Sequence, residues 1–282
     1  MLVRPSLQPP PQRRFASAEI QRPVIAGHAP AQNRLLAALP SENYQRLLPA
    51  LELVALPQGW TVHGAGDREN HLYFLTAGIV SRYCLTHAGP SAAFAVTGNE
   101  GVIGVASFLG GVSALSQAVV LSSGYAYRMR ADLLQGERGH AGPLLQLLLR
   151  YTQLLIAQAG QTAACNRHHT LEQQLCRWIL ACIDRLPSNE LAMTQQTIAA
   201  MLGVRREGIT EAARHLQEAR LIHYTRGHIA VLDRPGTEAR ACECYAVVKR
   251  EYDRLLRPHS TAQRLHAPHV APVSRSPYGC AA

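Results

Sequence analysis

Hydrophobic and polar positions change their period twice along the chain. Between Leu51 and about Met129, apolar residues come in short runs: LELVAL, HLYFLTAGIVSRYCL, AAFAVTG and SQAVVLSSGYAYRM, with Gly-rich turns between them. Runs of this length and spacing predict strands of a sandwich, barrel or jelly roll. Ahead of them, short helical patterns run from Asn33 to Leu48 and break at Pro40. From Pro143 the period becomes helical. Leu144, Leu148, Tyr151, Leu155 and Gln158 recur at three- and four-residue spacing, with leucines at 145, 147, 149 and 154 beside them. A helix apolar over so wide an arc can pack one face on the strands and offer another to a partner helix, as a coiled-coil-like dimer seam; an ordinary buried helix has the same pattern.

A second helix is expected from Thr170. The stretch TLEQ has the form of a capping box, with Thr170 as N-cap and Gln173 reaching back to it. Leu171, Leu175, Trp178, Ile179 and Cys182 form its apolar stripe, and Pro187 stops it. Next comes TQQTIAAMLGVRREGITEAARHLQEARLI, Thr194 to Ile222. Thr194 caps a short helix running to Leu202, Gly203 supplies the left-handed turn residue, and another helix opens at about Arg205. Ile198, Leu202, Val204, Ile209, Ala212 and Leu216 are apolar, and Ala199 is small where the helices must cross closely. Two short helices crossing over a shared core make a helix-turn-helix.

Projected at about 100° per residue, the second of these helices gathers Ile209, Ala212 and Leu216 inward. Glu207, Glu211 and Arg214 fall on the opposite side, flanked by Thr210 and Arg206. An arginine can bond both acceptors of guanine, and a glutamate can accept from the cytosine amino group. The helix N-termini can receive phosphate oxygens. Then LIHYTRGHIAVLD alternates apolar and polar around Arg226-Gly227, predicting a β-hairpin wing with Arg226 at its tip near the DNA backbone. The stretch RPGTEARACECYAVVKREYDRLL reads as one terminal helix covering the three-helix core. The candidate DNA-binding residues are Arg205, Arg206, Glu207, Thr210, Glu211, Arg214 and Arg226.

Charge supports that reading. Lys and Arg number 28 against 19 Asp and Glu, for a net +9, and only Lys249 is a lysine. Such a balance favours a polyanionic partner, nucleic acid or anionic lipid. No run reaches the ~18 apolar residues of a membrane span, and the basic start lacks the apolar core of a secretory signal. Seven scattered cysteines suit a reduced, cytoplasmic setting. Cys242 and Cys244 read as two thiols facing different sides of a helix, because no second pair of cysteines or histidines has zinc spacing. His168 and His169 read as solvated. No metal or cofactor site and no catalytic set is expected. A cupin-like metal enzyme would need clustered histidines, and His63, His71 and His87 include no H-x-H pair. A basic module acting on lipid or protein rather than DNA is the other alternative.

From about residue 33 to 256 the chain resembles the Crp/Fnr superfamily of bacterial transcription regulators. The most specific part is MTQQTIAAMLGVRREGITEAARHLQEARLIHYTRGHIAVLD, in which GVRRE is similar to the family's recognition-helix start. The resemblance implies that Arg206 and Glu207 read bases. A third reading position, often arginine in the family, falls on Glu211 and implies a different operator preference. It also implies that the helix from Pro143 joins two copies, and that LYFLTAGIVSRYCL belongs to a cyclic-nucleotide-binding-like β-roll. The family's nucleotide-binding pattern is absent: Val102 stands in place of its glutamate, and no arginine lies between Arg82 and Arg128. The first cysteine is Cys84, so the N-terminal cysteine pattern of the iron–sulfur members is missing too. The expected architecture is α+β. A disordered tail over 1–29 precedes a β-roll or jelly-roll sensory domain over 30–142. A dimerisation helix over 143–166, a winged helix-turn-helix over 167–257 and a disordered tail over 258–282 follow. The expected function is a homodimeric regulator on an inverted-repeat operator, with its effector unknown and cyclic nucleotide not expected. Expected partners are double-stranded DNA, a second copy and RNA polymerase.

Overall fold

A computed structural model describes residues 27–85, 91–111, 113–136 and 142–255. The tails expected to be disordered lie outside these residues apart from 27–29, as does His87. The first α-helices among the described residues are α1 (Arg34–Ala37) and α2 (Ser41–Leu47). Asn33 pins the first of them to the roll. Its side-chain oxygen accepts from Leu35 and Leu36 N–H, while its amide donates to the Leu75 and Gly101 carbonyls at 2.8 Å each.

The strands follow: β1 (Glu52–Leu56), β2 (Thr61–His63), β3 (His71–Leu85), β4 (Ser91–Thr97), β5 (Val102–Ile103) and β6 (Gln117–Arg130). They form a six-stranded sheet in the order β1-β6-β3-β4, with β2 on β6 and β5 on β3. The pairings are antiparallel. The two long strands β3 and β6 shift register between Leu75 and Val80. Gly78, at φ 84°, and Gly124 face one another there; a Cβ on either would lie within 2.6 Å of the opposite backbone. Only glycines permit that approach, and such irregularities bend and twist a sheet. Alternate side chains of these strands, among them Val54, Leu56, Leu75, Val80, Ile103 and Val120, fill the inside of the roll.

After α3 (Leu133–Gly136), the long helix α4 spans Gly142–His168. It buries Leu144, Leu147, Leu148, Tyr151, Leu154 and Leu155 against Leu35, Leu36, Leu72 and Phe74. The remaining elements are α5 (Leu171–Ile183), β7 (Glu190–Ala192), α6 (Gln195–Leu202), α7 (Arg206–Glu218), β8 (Ile222–Thr225), β9 (His228–Val231), α8 (Arg234–Arg240) and α9 (Cys244–Leu255). The capping box of Thr170 and Gln173 starts α5 as expected.

The terminal segment departs from its expected form. It breaks between Arg240 and Cys244 into two helices. The first, α8, packs on α5; the second, α9, lies mainly along α4 and also touches α5, with Tyr252 and Leu255 joining Tyr151 and Leu154 in one cluster. The break also changes the cysteine pair. Cys242 lies in the bend and Cys244 opens α9, so helical projection does not separate them: both are buried, together with Cys165.

Candidate nucleic-acid interface

The head is built from the bottom by two caps and a turn. Thr194 accepts from the Thr197 N–H at 3.2 Å and starts α6. Gly203 ends it at φ 67°, ψ 32°, and its N–H closes on the Ala199 carbonyl. Arg205 then takes an extended conformation as N-cap of α7, with no side-chain capping bond. The inner face of α7, Ile209, Ala212, Ala213 and Leu216, is buried with Ile198, Ala199 and Leu202 of α6 and with Leu175 and Ile179 of α5. Burying these residues orients everything on the other side of the helix toward solvent.

That other side carries Arg206, Glu207, Thr210, Glu211 and Arg214, and all five are exposed, as is Arg205. Among the described residues, no hydrogen bond or ion pair holds the side chains of Arg205, Arg206, Glu207, Glu211 or Arg226. Thr210 and Arg214 differ from the others. The Thr210 hydroxyl lies 2.8 Å from Gln195 Oε1 and 3.1 Å from the Arg206 carbonyl. Arg214 pairs with Glu218 one turn on, at 2.6 Å. Exposed pairs of that kind contribute only about 0.3–0.5 kcal/mol, so the pair leaves Arg214 available to a stronger acceptor.

The wing is the hairpin of β8 and β9, joined on its other side to β7. Arg226 (φ 46°) and Gly227 (φ 81°) are its two turn residues. Positive φ at both positions is what a two-residue hairpin turn needs to match the strand twist. The Met193 N–H donates to the Gly227 carbonyl at 2.6 Å, and the Tyr224 hydroxyl donates to the Met193 carbonyl at 2.8 Å. These bonds tie the wing to the start of α6. Between them opens a cleft lined by Thr194, Gln195, Gln196, Arg206, Tyr224, Arg226 and Gly227. Burial pushes the Tyr224 phenol up to about 12, with the Arg206 guanidinium pulling the other way. The phenol is therefore a neutral donor at physiological pH.

Gln195, Gln196 and Tyr224 were not singled out by sequence reasoning. The glutamines carry one local signal: they are the first two helical residues after the Thr194 cap, where backbone N–H groups are free to meet an anion. Tyr224 carries none, because its alternation in the hairpin says only which side of the wing it is on.

In the roll, Val102 is fully buried. Arg82 is buried as well, donating to the Val102 carbonyl at 2.6 Å and to Thr97 Oγ1 at 3.0 Å. The short turn after Gly104 presents its Ala106 N–H to the Glu69 carboxylate at 2.6 Å. His63 Nε2 lies 3.0 Å from the same carboxylate. His169, expected to be solvated, is largely covered: Glu243 lies 3.2 Å from its Nε2, and Cys244 Sγ 3.4 Å from its Nδ1. His168 is exposed, as expected.

Two family models match the chain: a cyclic nucleotide-binding domain over residues 53–136 and a Crp-like helix-turn-helix domain over 173–239. No curated protein matches it. Among solved structures, FixK2 from Bradyrhizobium japonicum is similar at 16% identity and a TM-score of 0.60, covering 68% of this chain and 98% of that one. A transcriptional regulator of the crp/fnr family from Eubacterium rectale is similar at 18% identity and a TM-score of 0.59, covering 73% and 96%. A CRP-family transcriptional regulator from Thermus thermophilus is similar at 17% identity and a TM-score of 0.56, covering 67% and 96%. No helix among the described residues is long and apolar enough to cross a membrane. With a cyclic nucleotide-binding fold, a long connecting helix and a Crp-like helix-turn-helix in that order, the chain belongs to the Crp/Fnr family of transcription regulators.

Proposed function

We propose that the chain acts in the cytoplasm as a homodimer that reads an inverted-repeat operator through α7. The observation that carries this reading is the outward face of α7. The tips of Arg206, Glu207 and Glu211 stand in solvent with no internal partner among the described residues, on a helix locked by its buried opposite side. Arg206, Glu207 and Glu211 are the proposed base readers, with Thr210 and Arg214 beside them. Arg205 and Arg226 are the proposed backbone contacts. A glutamate near phosphates loses affinity unless it meets a base donor, so Glu207 and Glu211 act mainly by rejecting wrong sequences.

The proposed dimer seam is the uncovered face of α4. Leu145, Leu149, Thr152, Ile156, Ala159 and Ala163 follow one another at alternating spacings of four and three, the repeat of a coiled-coil stripe. Leu145, Leu149 and Ile156 are 38%, 48% and 68% exposed in the single chain. Two heads so joined would meet half-sites about 34 Å apart, one turn of the duplex. RNA polymerase is a further proposed partner. No catalytic role is proposed. Cyclic nucleotide is not the proposed effector, because Arg82 is engaged inside the roll and Glu69 places a negative charge at the Ala106 turn.

Selection from random duplexes by the full-length chain, followed by competition at fixed salt, tests the reading. An enriched palindrome with half-sites one turn apart is expected. Binding that follows salt alone, with no sequence enriched, would instead indicate a general polyanion-binding module.

A further inference from the structure

We infer that Cys165, His169, Cys242 and Cys244 form a four-ligand site for a thiolate-seeking metal ion, with zinc the best fit. The ligating atoms of these four residues all lie within 4.8 Å of one another. Cys165 Sγ is 3.5 Å from Cys242 Sγ, and Cys244 Sγ is 3.4 Å from His169 Nδ1. A tetrahedral zinc ion with bonds of ~2.3 Å to sulfur and ~2.0–2.1 Å to nitrogen separates its ligands by roughly 3.5–3.8 Å. The two measured edges are therefore already close to those of a coordinated tetrahedron.

The surroundings are those of a ligand set rather than of thiols packed as hydrophobes. Cys165 lies in the last turn of α4, and His169 follows the helix end, its N–H donating to the Cys165 carbonyl at 3.0 Å. Cys242 and Cys244 arrive from the bend between α8 and α9. The three cysteines form a small cluster of their own, separate from the leucine-rich cores. The Glu243 carboxylate, 3.2 Å from His169 Nε2, fixes the ring with its other nitrogen facing the sulfurs. A carboxylate behind a ligating histidine sets its tautomer and raises its basicity. The Gln161 side-chain amide donates to Cys244 Sγ at 3.0 Å, which stabilises negative charge on that sulfur.

Burial pushes the Cys165 thiol up from its ordinary range, and the buried Arg177 guanidinium pulls the other way. Three thiolates, one neutral imidazole and a divalent cation carry a net single negative charge, which Arg177 offsets. Each thiol would release its proton to solvent as the metal binds. Three sulfur ligands and one nitrogen select zinc over magnesium or calcium, which prefer oxygen. The site would clamp the end of α4 to the start of α9.

The test uses the reduced, chelator-stripped full-length chain titrated with cobalt(II) and then with zinc. One cobalt per chain is expected, with thiolate-to-cobalt charge-transfer bands and tetrahedral d–d bands that zinc abolishes. Cys165→Ser and Cys242→Ser should lose the charge-transfer intensity of their sulfurs. Cys84→Ser, an exposed thiol elsewhere in the fold, should keep the full spectrum. Glu243→Gln alters a mostly exposed side chain, and its zinc affinity should fall about tenfold or more with the fold intact. Wild-type protein that shows no charge-transfer band, or a band that survives Cys242→Ser unchanged, overturns the assignment. DNA is not among the readouts, so failure here leaves the operator-reading proposal standing.

Discussion

Arg206 and Arg226 line one cleft but are proposed to act on different parts of a duplex. Arg206 opens the helix whose buried side is Ile209, Ala212 and Leu216, so its tip is held on the solvent side of α7, where the proposed base contacts lie. Arg206→Ala should cost ~1–3 kcal/mol of operator affinity and relax the preference at one base pair. Binding titrations against the selected site and its single-base variants measure both effects. Arg226 sits on a hairpin tip at positive φ, where Asn is tolerated and Ala is strained. Arg226→Asn therefore keeps the turn while removing the charge. It should weaken all sequences alike and lower the salt slope by about 1, as expected for one lost phosphate contact. A loss confined to one sequence would move Arg226 from the backbone to a base.

At the scale of elements, the two helices of the helix-turn-helix depend on one residue between them, and the proposed dimer depends on one stripe. Gly203 holds φ 67° between α6 and α7. A Cβ in that left-handed conformation costs ~1–2 kcal/mol, so Gly203→Val should lower the denaturation midpoint and weaken DNA binding together. Unchanged stability would mean the turn can reshape without that conformation. Along α4, Leu149 and Ile156 face away from the protein's own core. Leu149→Arg with Ile156→Asp should leave the fold intact by circular dichroism and yield monomers in analytical ultracentrifugation. A dimer that survives both substitutions would move the seam elsewhere.

Across the whole molecule, one buried ion pair joins roll and head. Glu100, just before β5, meets Arg185, just after α5, at 2.7 Å, with both side chains about 5% exposed. The Gly98 N–H caps the same carboxylate, and the Arg185 guanidinium lies 5.0 Å over the Tyr252 ring of α9. Glu100→Ala leaves a buried charge unpaired and should cost about 3–5 kcal/mol, read in chemical denaturation. Adding Arg185→Met should recover part of that loss. Legible in the sequence alone were the features whose cause is local. The strand β3 over His71–Leu85 follows from its apolar run, the start of α5 from the Thr170 and Gln173 box, and the turn at Gly203 from the only residue free of a Cβ. The outward face of α7 follows from which of its positions are apolar. Only the tertiary structure decided that Cys165 meets Cys242 across 77 residues of chain, that Glu100 meets Arg185, and that α9 lies along α4. Periods of two and 3.6 residues record which side of an element is buried, whereas the choice of partner depends on how distant elements come together, which no local spacing encodes.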